Sequence, residues 1–145
     1  MNERIAICDV IEAKSGRVLL VPWGDVNTLN GDRMVINEES AANVLGAFKA
    51  HGVKMVIDAE HASEGGEFAR PDGLAPAMGW VKEMEAVRGE GIYGNVEWTP
   101  TGQRLVMAKE YQYLSPVIVY RQKDGVALRM RSAGLTNQPA IPRMP

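Results

Sequence analysis

The sequence predicts an α+β fold, a mainly antiparallel β-barrel of about seven short strands with helices packed around it. Three observations carry that expectation. Short runs rich in β-branched and aromatic residues recur along the chain, and most are joined by turn signals. Only two segments combine a helix cap with helical spacing of apolar residues. The length of 145 residues and the 46% hydrophobic content suit one domain with its own core.

Taken in order, residues 5–11 and 17–21 read as two strands flanking Lys14-Ser15-Gly16, a hairpin-like connection. Pro22-Trp23-Gly24-Asp25 breaks regular structure, and residues 27–33 read as a polar loop. The clearest helix follows. Asn37 is a natural N-cap, with Glu38 and Glu39 placing negative charge in the first turn. Ala41, Val44, Leu45 and Phe48 form one apolar stripe, and Gly52 supplies the stop. Residues 53–58 read as a short buried strand. Residues 62–75, rich in Gly, Glu and Ala and without periodicity, read as a mobile surface loop.

Residues 77–87 have β character, with Trp80, Met84 and Ala86 on one face. Arg88-Gly89-Glu90-Gly91 turns the chain, and residues 92–98 return as the partner strand. Thr99 caps a second helix with Pro100 at its first position and Leu105, Val106 and Ala108 as its apolar side. Residues 112–121, the turn Lys123-Asp124-Gly125 and residues 126–135 make a last hairpin. Pro139, Pro142 and Pro145 exclude regular structure from the end, so the expected domain spans 1–138, with 139–145 as a tail.

Charge and composition narrow the function. A formal net charge of −2, from 16 basic and 18 acidic residues, argues against a nucleic-acid footprint and a membrane-surface patch. No apolar run is long enough to span a bilayer, and Met1-Asn2-Glu3-Arg4-Ile5 lacks the build of a signal peptide. The single cysteine, Cys8, lies in a strand-like run and reads as a small core residue in a reducing compartment. One cysteine and two histidines do not make a usual zinc set, and no cofactor is expected.

Two residues stand out chemically. Ser115 lies in the strand-like run Tyr113-Leu114-Ser115-Pro116-Val117, and Pro116 marks an edge or bulge where a hydroxyl becomes exposed. Ser15, Ser40 and Ser63 fall in a turn, a helix and a loop, and Ser132 in the last strand. His61 ends the run Val56-Ile57-Asp58-Ala59-Glu60 and is the better base, since His51 suits a helix C-terminus. Brought together, Ser115 and His61 make a nucleophile and its base. Blander readings also fit: a strand serine bonded to neighbouring backbone, and a lone histidine at a strand end. Asp58 and Glu60 invite an orienting or metal-binding role, but strand alternation turns both away from His61 unless the chain bends near Ala59.

The segments Ile57-Asp58-Ala59-Glu60-His61, Pro76-Ala77-Met78-Gly79-Trp80-Val81, Gly91-Ile92-Tyr93-Gly94-Asn95-Val96-Glu97-Trp98-Thr99, Glu110-Tyr111-Gln112-Tyr113-Leu114-Ser115-Pro116-Val117 and Leu135-Thr136-Asn137-Gln138-Pro139-Ala140 resemble the capsid maturation proteases of tailed phages. Among these the likeness is to the Mu-like prophage I family, and the wider group is related to the herpesvirus protease assemblin. The resemblance spans residues 57–140. It implies a herpesvirus-protease-like barrel and a serine endopeptidase, with Ser115 as nucleophile and His61 as general base. In related proteases an acidic residue or a second histidine near the last strand is the third member; counting back from Pro139-Ala140, that place holds Ser132. A hydroxyl orients an imidazole but stabilises its cation much less than a carboxylate does, so a slow enzyme is expected.

The resemblance further implies phage scaffold and major capsid proteins as substrates, self-cleavage, a homodimer, and action in the host cytoplasm inside the procapsid. It also implies that the tail begins a linker to a scaffold segment. The main rival is a non-catalytic assembly module that retains the protease fold; a metal-dependent hydrolase built on His61 and its acidic neighbours is a third reading.

Overall fold

The computed structural model describes residues 2–5, 16–27 and 33–137. Both helices form where their caps lie. Helix α1 (Glu38–His51) starts at Asn37, whose side chain accepts the Ser40 backbone N–H at 2.9 Å, and stops at Gly52 in the left-handed region, φ 78°. Helix α2 (Pro100–Met107) starts at Thr99, whose Oγ1 accepts the Gly102 N–H at 3.1 Å. Gly102 lets this helix sit against Met78, because a Cβ there would stand 1.9 Å from the Met78 carbonyl oxygen.

Nine strands accompany these helices among the described residues: β1 (Asn2–Ile5), β2 (Arg17–Pro22), β3 (Gly24–Asn27), β4 (Arg33–Ile36), β5 (Met55–Ala59), β6 (Gly79–Val87), β7 (Gly91–Trp98), β8 (Tyr113–Tyr120) and β9 (Ala127–Thr136). Seven of them form one sheet in the order β1-β8-β9-β5-β6-β7-β2. Every ladder in it is antiparallel except β5–β9, which is parallel. The sheet curls so that β2 contacts β8 without pairing. β3 and β4 form a separate hairpin, tied to the main sheet by a bridge between Val35 and Val126.

Fully buried Leu20, Met34, Ile57, Val81, Ile92, Leu114, Ile118 and Leu135 fill the concave side, and the α1 stripe joins them through Val44. The outcome is the expected α+β, mainly antiparallel class, with the α1, α2, β6–β7 and β8–β9 elements at or near their expected places.

Several expectations need correction. β1, at residues before the expected first strand save Ile5, pairs with β8 and lies at the opposite edge of the sheet from β2. The rest of the expected strand at 5–11, including Cys8, lies outside the described residues, as does the tail 139–145. Strand β3 takes up part of the stretch read as a break, β4 starts at the end of the stretch read as a loop, and residues 28–32 of that loop lie outside the described residues. In β6 a bulge between Val81 and Glu83 inserts one residue, so Met84 and Ala86 pack on the core with Val81 while Trp80 faces outward. Residues 62–75 begin with two 3-10 turns, Ala62–Glu64 and Gly66–Phe68.

Candidate active site

Strand alternation builds one row of polar residues on the face of the sheet away from the core. Ala133 and Leu135 of β9 point into the core, so Ser132 and Gly134, which alternate with them, turn outward. Ile57 of β5 and Leu114 of β8 are core residues in the same way, which turns Asp58 and Ser115 outward. The register then aligns them: Asp58 pairs with Gly134, and Gly134 pairs with Ser115. Asp58, Gly134 and Ser115 thus form a row across adjacent strands β5, β9 and β8, with Asp58 and Ser115 fully buried.

His61 reaches this row because the chain reverses just beyond β5. Glu60 and His61 both adopt left-handed backbone, φ 55° and 59°, which non-glycine residues rarely do. That bend supersedes the alternation that would have pointed Asp58 and His61 apart. The imidazole lies over Gly134: an ideal Cβ on that residue would stand 2.8 Å from His61 Nδ1, 3.0 Å from Cε1 and 2.9 Å from Asp58 Oδ1. Any side chain at 134 would displace the ring. Phe68, from the second 3-10 turn, closes the other side edge-on, with ring centroids 5.7 Å apart. The ring is 3% exposed, and burial holds its pKa below the usual histidine value, against the opposing charges of Asp58 and Glu60. Neither ring nitrogen has a hydrogen-bond partner among the described residues.

The remaining candidates take other partners. Ser132 is buried on the same face of β9, where its hydroxyl donates to Glu64 Oε2 at 3.4 Å. Glu64 Oε1 in turn pairs with Arg131 at 3.3 Å, so Glu64 ties the first 3-10 turn to β9. Burial raises the Glu64 pKa, Ser132 opposes that rise, and Asp58 adds to it. Asp58 Oδ2 accepts the Ser63 backbone N–H at 2.9 Å and also its hydroxyl, whereas Oδ1 is buried without a partner. Glu60 is exposed and accepts from the Tyr111 hydroxyl at 3.3 Å. His51 is exposed at the end of α1. Among the described residues no group of three His, Cys, Asp or Glu side chains is placed to hold a metal ion.

Sequence reasoning missed Gly134, Ser63, Glu64 and Phe68. Gly134 left a readable signal, a glycine inside an apolar strand, which marks close approach. The other three lie in a segment without periodicity.

A family model described as Mu-like prophage I protein, N-terminal domain, matches residues 18–145. The chain belongs to the Mu-like prophage I protein family. A curated relative, the Mu-like prophage FluMu I protein of Haemophilus influenzae (strain ATCC 51907 / DSM 11121 / KW20 / Rd), is 31% identical over 77 residues. That alignment covers 50% of this chain and 21% of the relative. No solved structure matches significantly. Membership in the Mu-like prophage I family makes this a phage or prophage protein. Around its row stand a hydroxyl, a carboxylate and an imidazole whose pKa burial lowers.

Proposed function

We propose that this domain is a serine endopeptidase of phage procapsid maturation, acting on scaffold and major capsid proteins and on its own chain, inside the procapsid in the host cytoplasm. The observation that carries this reading is the register row, with His61 lying over the one position in it that has no side chain. Family membership and the curled, mainly antiparallel sheet support the herpesvirus-protease-like barrel that goes with it.

In this mechanism the Ser115 oxygen bonds to the scissile carbonyl carbon while its proton passes to His61 Nε2. Collapse of the tetrahedral intermediate breaks the C–N bond, and His61 returns that proton to the leaving amine. Water, deprotonated by the same imidazole, then hydrolyses the acyl-enzyme and restores Ser115. Both residues are buried, and Phe68 of the second 3-10 turn packs on the His61 ring, so substrate access to the imidazole requires that turn to move aside.

The complete burial of Ser115 favours a second reading, a docking module for scaffold or capsid protein that retains the fold without the activity. Replacing Ser115 with Ala and following cleavage of the cognate scaffold separates the two. The protease reading predicts that cleavage drops to background while binding persists. Undiminished cleavage by Ser115→Ala would contradict it.

A further inference from the structure

We propose that Asp58 is the positioning residue for His61, accepting its Nδ1–H on Oδ1, and that Gly134 keeps the space in which this contact forms. The assignment rests on the endopeptidase reading for its catalytic meaning, and on geometry for the contact itself. Two buried atoms of complementary type, His61 Nδ1 and Asp58 Oδ1, both lack partners. Both crowd the same point, the place a Gly134 Cβ would occupy, at 2.8 and 2.9 Å. Buried polar groups are almost always paired, so two orphans of opposite sense side by side mark a contact that forms with a small rotation of the ring. The other carboxylate oxygen is already fixed by the backbone and side chain of Ser63, which aims Oδ1 along the row.

The alternatives are engaged elsewhere. Ser132, the residue the family pattern offers, gives its hydroxyl to Glu64. Glu60 turns out to Tyr111. The charged groups around the ring are Asp58 and Glu60 from β5 and its turn, Glu64 from the first 3-10 turn, and Arg131 of β9 paired with Glu64. Strand β8 contributes no charged residue.

The chemistry is a fixed proton and a moving one. Nδ1 keeps its proton, shared with Asp58 Oδ1, so Nε2 keeps the lone pair that receives the Ser115 proton. The carboxylate then stabilises the imidazolium without taking a proton itself. This replaces the weak hydroxyl partner with a charged one, and the reason to expect a slow enzyme disappears.

The test is nitrogen NMR of His61 in the full chain, in a Ser115→Ala background that removes any self-cleavage. Asp58→Asn is expected to move the His61 titration midpoint downward, and Ser132→Ala to leave it in place. An unchanged midpoint in Asp58→Asn, or an equal shift in Ser132→Ala, overturns the proposal. Should Asp58→Asn not fold, the parent protein decides: neutral His61 as the Nδ1–H tautomer supports the assignment, and the Nε2–H tautomer overturns it. With Ser115 present, Asp58→Asn is expected to lower kcat on scaffold by about 10²–10⁴-fold. The NMR result stands even if no cleavage is found, so failure of the endopeptidase reading and failure of this contact remain distinguishable.

Discussion

His61 carries the pH dependence of the site. Burial holds its pKa below the usual value of 6.5, so the neutral base persists to lower pH than in an ordinary histidine. The acid limb of kcat/KM for scaffold cleavage is therefore expected below pH 6.5; a limb at or above that value contradicts the account. The same shift has a stability consequence. The unfolded chain takes up the histidine proton first, so stability is full above pH 6.5 and falls as the pH drops through the lower folded value. At this scale Ser115 and His61 were legible as residue types in suggestive places. Their relation was not, because the decisive facts are a left-handed bend at Glu60 and His61 and a glycine four strands further along the chain. The alternation rule that set Asp58 aside fails where the strand ends at Ala59, and the bend near that residue brings Asp58 and His61 to one side of the sheet.

At the scale of elements, the 3-10 turns form a cover rather than a free surface loop. Phe68 packs on the His61 ring, Ser63 grips Asp58, and Glu64 fastens the cover to β9 through Ser132 and Arg131. Glu64→Ala is expected to raise hydrogen exchange across 62–68 and to speed access of a small serine-directed probe to Ser115. Unchanged exchange and access in that variant would show that Glu64 does not hold the cover. The elements legible in the sequence were those specified by near neighbours. Asn37 and Thr99 cap helices through residues three positions on, and Arg88-Gly89-Glu90-Gly91 closes the β6–β7 hairpin. Short strands such as β3 and β4, with one residue run per face, carry too little pattern to be distinguished from loop. The extra residue in β6 reverses which face its side chains take, and no local signal announces it.

At the scale of the whole molecule, the site exists because of pairings between distant parts of the chain. β5 lies beside β9 in parallel, although more than seventy residues separate Ile57 from Ala133 in the register. That single parallel ladder joins the first half of the domain to the β8–β9 hairpin and sets Asp58, Gly134 and Ser115 in line. A sequence read by local periodicity predicts hairpins and misses such a ladder, which is why the class was legible and the strand order was not. The central claim is that this row makes Ser115 nucleophilic through His61. It is tested most directly by treating the folded protein with a fluorophosphonate and locating the adduct by mass spectrometry. The account predicts modification of Ser115 that disappears in His61→Ala, whereas no adduct at Ser115, or equal modification without His61, would contradict it.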